Sequence, residues 1–161
     1  MRKEKVAFEL SIFDSSDELS SEEQRLMQEA VRAREDAYAP YSGFKVGAAV
    51  LMENGRVVIG NNQENASYPS GLCAERVAVY QAGALYPGLE IRAIAVSAAA
   101  GSGKKTQPAA PCGNCRQAIA EYEQRQEAGI RILMSGDTGT VYKCGSVADL
   151  LPLAFGRSYL E

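Results

Sequence analysis

Apolar positions recur at helical spacing through Leu26, Met27, Ala30, Val31, Ala33, Ala37 and Tyr38. Ser20 stands three residues before Glu23, the arrangement of a capping box. A helix is therefore expected over residues 21–38, closed by Pro40. The pattern then changes to a continuous apolar run, which predicts a buried strand over residues 44–52. Asn54-Gly55 supplies a hairpin turn and residues 56–61 return as a second strand. A polar loop follows over residues 62–71. Helical spacing resumes near Cys73 and continues through Val77, Val79, Tyr80 and Leu85 to the Tyr86-Pro87-Gly88 break. Residues 91–98 read as a third strand and Gly101-Ser102-Gly103-Lys104-Lys105 as an exposed flexible loop. A third helix is expected from Pro111 to about Ala128, stopped by Gly129. Strands over residues 130–135 and 140–143 are joined by the Gly136-Asp137-Thr138-Gly139 turn, and a short helix lies over residues 147–151 before Pro152. Residues 1–19 are polar and mixed in charge, an arm or a short strand.

This order of elements predicts an α/β fold, with helices on both faces of a mixed five-stranded sheet in a three-layer α-β-α sandwich. Residues 1–20 read as an N-terminal extension and residues 21–161 as one domain, with no linker that would divide it. The composition, 46% hydrophobic and 23% charged, is ordinary for a globular chain. Its net charge of −3 and pI near 5.2 speak against a nucleic-acid partner. No apolar stretch is long enough to span a bilayer and the basic start has no apolar signal core. The chain is expected to be cytoplasmic.

The chemistry concentrates in cysteine. Three of the four cysteines lie in Cys73-Ala74-Glu75 and Pro111-Cys112-Gly113-Asn114-Cys115, and there is no histidine. That absence removes Ser-His-Asp and Cys-His catalysis and every metal site that needs imidazole. In a reducing compartment these thiols read as metal ligands. Three sulfurs fill three corners of a zinc tetrahedron and leave one for water, and Glu75 is placed to handle that water's protons. Both halves of the motif open helices, whose free N–H groups and positive ends favour thiolate. Three thiolates leave zinc with an excess negative charge, which Arg76 offsets by hydrogen bonding to sulfur; Arg116 and Gln117 are further candidates. Two plainer readings compete. Cys112-x-x-Cys115 alone is a redox dithiol, and Cys144 is a possible fourth ligand of a closed structural site. Neither gives Glu75 a role. Cys144 itself reads as an ordinary core or strand-end cysteine.

With these blocks in view, the chain resembles the small, homotetrameric, three-cysteine cytidine deaminases. The resemblance runs from about Ala39 to Tyr159 through Tyr41-Ser42-Gly43-Phe44-Lys45-Val46-Gly47-Ala48-Ala49, Asn62-Gln63-Glu64-Asn65-Ala66-Ser67-Tyr68, the two cysteine blocks, and Leu150-Leu151-Pro152 with Phe155-Gly156. It implies one zinc per subunit on Cys73, Cys112 and Cys115, with Glu75 as proton shuttle. It implies Asn62 and Glu64 on the ribose hydroxyls, Phe44 lining the base pocket and the backbone of Ala74 at the pyrimidine edge. Tyr68 and Phe155 would reach a neighbouring subunit's active site, which makes the tetramer necessary. The implied activity is hydrolytic deamination of cytidine and 2′-deoxycytidine in pyrimidine salvage. A deaminase for blasticidin S has no use for a diol-binding Asn62 and Glu64. An editing deaminase should carry a basic groove, and a zinc-stabilised binding module should close its site with a fourth sulfur. The resemblance leaves out the first 20 or so residues and the long 98–110 segment. Ala110 and Asn61 stand where the family often has serine and cysteine.

Overall fold

The structure, a computed structural model, describes residues 1–100 and 107–160; the loop expected at residues 101–105 lies outside them. Three helices and six strands form its frame. The strands are β1 (Ser11–Phe13), β2 (Phe44–Met52), β3 (Val57–Asn61), β4 (Ile91–Ala100), β5 (Arg131–Ser135) and β6 (Val141–Cys144). The helices are α1 (Ser21–Glu35), α2 (Ala74–Leu85) and α3 (Gly113–Glu123). The sheet runs β1-β6-β5-β4-β2-β3, antiparallel throughout except for the parallel β4–β5 pair.

Strand alternation assigns each face its own core. Ala49 and Leu51 of β2, Ala93 and Ala95 of β4 and Leu133 of β5 pack against Leu26, Met27 and Ala30 of α1. The intervening Ala48, Val50, Met52, Ile94, Val96, Ile132 and Met134 pack with Ala78, Val79 and Ala82 of α2 and Ile119 of α3. The result is the expected α-β-α sandwich. Small residues set how closely the helices approach. A Cβ on Gly60 of β3 would lie 2.5 Å from the Ala78 nitrogen of α2, and one on Gly83 of α2 would lie 2.5 Å from the Tyr122 hydroxyl of α3. These glycines let α2 sit down on the sheet and against α3, so the starts of the two helices can meet.

The sheet has six strands where five were expected. The additional strand is β1, which pairs with β6 in the register Ser11↔Lys143 to Phe13↔Val141. Two helices are shorter than expected. α1 stops at Glu35 because the backbone of Tyr38 is taken by the loop after β3: its N–H donates to the Asn62 carbonyl (3.1 Å) and its carbonyl accepts from the Glu64 N–H (2.9 Å). α3 stops at Glu123 because the side chains that follow are used elsewhere. Gln126 brackets the Ile91 backbone at 2.9 Å on both sides, and the Glu123 carboxylate accepts from the Ile130 N–H (2.6 Å) and the Val147 N–H (3.1 Å). Residues 147–149 form a single 3-10 turn. Among the described residues, no helix is long and apolar enough to cross a membrane.

Candidate metal centre and active site

Cys73 and Cys112 occupy the N-cap positions of α2 and α3, each with extended backbone and neither using its sulfur as a cap. Cys115 follows in the first turn of α3, fully buried, while Cys112 is exposed and Cys73 half-buried. The three sulfurs lie within 4.8 Å of one another. Cys73 Sγ is 3.9 Å from Cys112 Sγ, which is 3.5 Å from Cys115 Sγ. A tetrahedral zinc with Zn–S bonds of about 2.3 Å separates its sulfurs by about 3.8 Å. The spacing therefore fits zinc. Cys144 is not part of the group. It lies in the core, its sulfur 3.9 Å from the Ile132 carbonyl, and burial pushes its thiol up to about 11.

The electrostatics point the same way. Hydrogen bonding from Cys115, then from Arg76 and Cys112, pulls the Cys73 thiol down to about 5 against the opposing effect of burial. Cys115 is pushed well up by its hydrogen bond to Cys73, by burial and by the charge of Glu75. Three crowded sulfurs cannot all ionise together without a cation between them. The Arg76 guanidinium lies beside Cys73 and Cys115. One of its terminal nitrogens is 3.5 Å from the Gly71 carbonyl, while its Nε is buried without a hydrogen-bond partner among the described residues. Glu75, one residue into α2 from Ala74, is buried. Burial first, and then the negative Cys73, hold its carboxyl above the ordinary carboxylate range.

The other expected residues approach this point along the backbone. Gln63 and Leu72 exchange backbone hydrogen bonds at 2.9 and 3.0 Å, which puts the Asn62–Glu64 stretch beside the residue that precedes Cys73. Asn62 Oδ1 accepts from the Val46 N–H (2.8 Å) and its Nδ2 donates to the Phe44 carbonyl (2.9 Å). The Glu64 carboxylate accepts from the Tyr41 N–H (2.8 Å), the Ser42 N–H (3.3 Å) and the Ser42 hydroxyl (2.5 Å), and these donors lower its pKa, the hydroxyl most. Both side chains thus hold the turn that carries Phe44. Phe44 in turn pairs with Ala100 at the end of β4, the strand that leads toward Cys112. Tyr68 is 91% exposed and Phe155 is 58% exposed, the latter stacked on Tyr159 at 5.5 Å. The Gln117 amide donates to the Phe155 carbonyl (2.8 Å). Arg116 donates to the carbonyls of Pro111 (2.7 Å) and Leu150 (2.6 Å), fastening the approach to α3 onto the C-terminal block. Sequence reasoning left out Ser42 as the partner of Glu64. Its only signal was its place in the Tyr41-Ser42-Gly43 turn.

A family model described as the cytidine and deoxycytidylate deaminase zinc-binding region matches residues 20–127. The chain belongs to this deaminase family. A cytidine deaminase of Halalkalibacterium halodurans is 41% identical over 132 residues, covering 82% of this chain and 92% of the relative. Among solved structures, a cytidine deaminase from Burkholderia pseudomallei is 44% identical with a TM-score of 0.72, covering 81% of this chain and 97% of that one. One from Mycobacterium tuberculosis is 36% identical with a TM-score of 0.64, covering 82% and 95%. The deaminase match spans both cysteine blocks, and the donor set suits the zinc that its description names.

Proposed function

We propose that this chain catalyses the zinc-dependent hydrolytic deamination of cytidine and 2′-deoxycytidine, giving uridine and 2′-deoxyuridine with release of ammonia, a salvage reaction. The observation that carries this reading is a three-sulfur cluster at tetrahedral spacing with a buried carboxyl, Glu75, two residues from one ligand. Cys73, Cys112 and Cys115 hold one zinc per subunit. Bound there, zinc supplies a Lewis acid that brings the ionisation of water near neutral pH. Glu75 takes a proton from the attacking water and delivers it to N3 of the pyrimidine while oxygen adds at C4. It then takes the remaining proton from the oxygen added at C4 and delivers it to the 4-amino group, so that the C4–N bond breaks, the C4 carbonyl forms and ammonia leaves. A carboxyl with a raised pKa suits a group that must both accept and donate. Arg76 offsets the negative charge of the sulfurs.

Substrate binding follows from spare hydrogen-bonding capacity. A carboxylate accepts at about four sites, and Glu64 has used three; Asn62 retains one N–H and one lone pair. Each has room for a ribose hydroxyl without releasing the turn below it. Phe44 lines the base and the Ala74 backbone meets its edge. Gln117 sets the position of Phe155, and Phe155 and Tyr68 complete the site of a neighbouring subunit in a homotetramer. Their exposure on a single chain supports that role. The catalytic unit is residues 21–161, with residues 1–20 as an extension. Four free cysteines suit a cytoplasmic setting.

The test is a cytidine absorbance assay on zinc-replete and chelated protein. Turnover with one ammonia per uridine, lost on chelation and restored by zinc, is the expected result. Turnover that persists after complete zinc removal would refute it.

A further inference from the structure

The segment before β1 has a pattern that the deaminase reading does not use. Residues 1–10 belong to no helix or strand and are all exposed. They lie ahead of the family match, which starts at residue 20. Val6, Phe8, Leu10 and Ile12 alternate with Lys5, Ala7, Glu9 and Ser11, the period of a strand with one apolar face. That face is bare: Val6 is 67% exposed, Phe8 50%, Leu10 37% and Ile12 61%. Arg2 and Glu4, two positions apart, form an exposed ion pair at 3.5 Å. β1, into which the segment runs, is the last strand of the sheet, so its outer edge has no partner among the described residues. An edge strand continued by an exposed, alternating apolar segment without proline is a template for another strand.

The charges identify that strand. Lys5 and Glu9 stand at equal distances on either side of Ala7, as do Val6 and Phe8. An antiparallel pair of identical segments related by a two-fold axis at Ala7 therefore sets Lys5 opposite Glu9 twice and Val6 opposite Phe8 twice at its centre, with Glu4 opposite Leu10 and Arg2 opposite Ile12 toward its ends. Shifting the register by one residue sets Glu4 against Glu9, or Glu9 against Val6. Opposite charges and apolar pairs across an antiparallel ladder stabilise it, and like charges oppose it. A self-complementary patch is the signature of a two-fold interface.

We infer that residues 2–12 form an interface between two copies of this chain, pairing as antiparallel strands about Ala7 and joining their sheets edge to edge. The interface uses none of the residues proposed for the shared site, so its test is distinct from that of the tetramer.

Cysteine cross-linking of full-length, zinc-loaded protein tests it. Facing Cα atoms in an antiparallel pair are about 4.5–5.5 Å apart, within disulfide reach, whereas the two Ser11 residues would be roughly 27 Å apart. Under mild oxidation, Ala7→Cys gives a covalent dimer above the wild-type background and Ser11→Cys does not. In the Ala7→Cys background, Lys5→Glu or Glu9→Lys alone slows cross-linking by roughly tenfold, because both ion pairs become repulsive. The double variant restores the rate. Equal yields at positions 7 and 11, no dimer at position 7, or a double variant as slow as the singles would each overturn the interface.

Discussion

At Glu75 two effects act in the same direction. Burial penalises the ionised form, and the negative Cys73 nearby penalises it again, so the carboxyl keeps its proton more readily than an exposed one. A carboxyl that holds its proton more tightly is suited to both accept and donate, which the proposed reaction asks of it twice. Glu75→Gln keeps the shape and the three sulfurs but cannot move a proton. Its kcat for cytidine should fall by at least roughly 10²–10⁴-fold, while zinc per chain, measured by atomic absorption, stays unchanged. Near-normal turnover would remove Glu75 from the mechanism. This part of the site was legible in the sequence because ligand chemistry fixes residue type and short spacing. The neighbours of Asn62 and Glu64 were not. Their carboxamide and carboxylate bind backbone and hydroxyl groups of Tyr41, Ser42, Phe44 and Val46, contacts that come from the fold rather than from any local pattern.

The elements were legible where burial and local signals agreed. β2 runs over the expected 44–52 because a continuous apolar run ends in a clear turn, Asn54-Gly55, with Gly55 at φ 80°. The expected capping box at the start of α1 is present, and the structure adds long-range partners to it. The Glu23 carboxylate accepts from Ser20 and also pairs with Lys143 (3.1 Å) and Arg131 (3.4 Å) across the sheet. Burial alone would raise its pKa, but the Ser20 hydrogen bonds and Lys143 outweigh it and the pKa falls below 4.5. A lowered folded pKa means that its contribution is complete above the unfolded value and is lost as pH falls through the folded one. Glu23→Gln should therefore cost roughly 2 kcal/mol near neutral pH, seen as a lower Tm. The gap from wild type should narrow as pH drops below 4.5, and a gap independent of pH would contradict the assignment. Where elements ran shorter than expected, tertiary contacts took the backbone or side chains the helix needed, as Asn62 and Glu64 do at Tyr38. In sequence, residues 1–19 read only as an arm or a short strand; β1 is that strand, and three residues at a sheet edge carry too little pattern to be counted into the five-stranded sheet.

On the scale of the whole molecule, the sheet brings two helix starts, distant in sequence, to one point. Gly60 and Gly83 let α2 settle where Cys73 meets Cys112 and Cys115. The exposed Phe155 extends the question beyond one chain. If it completes a neighbour's site, mixing Glu75→Gln and Phe155→Ala chains under subunit exchange should recover activity that neither has alone, because some sites then combine an intact Glu75 with an intact Phe155. Mixtures no more active than the sum of the two would place Phe155 outside the shared site. Beneath all of this is the proposal that three sulfurs hold a cation with one position open to solvent and substrate. X-ray absorption at the zinc edge of fully loaded protein tests it most directly. The predicted shell is three sulfurs at about 2.3 Å and one lighter oxygen or nitrogen ligand near 2.0 Å; a shell of four sulfurs, or zinc without sulfur neighbours, would contradict it.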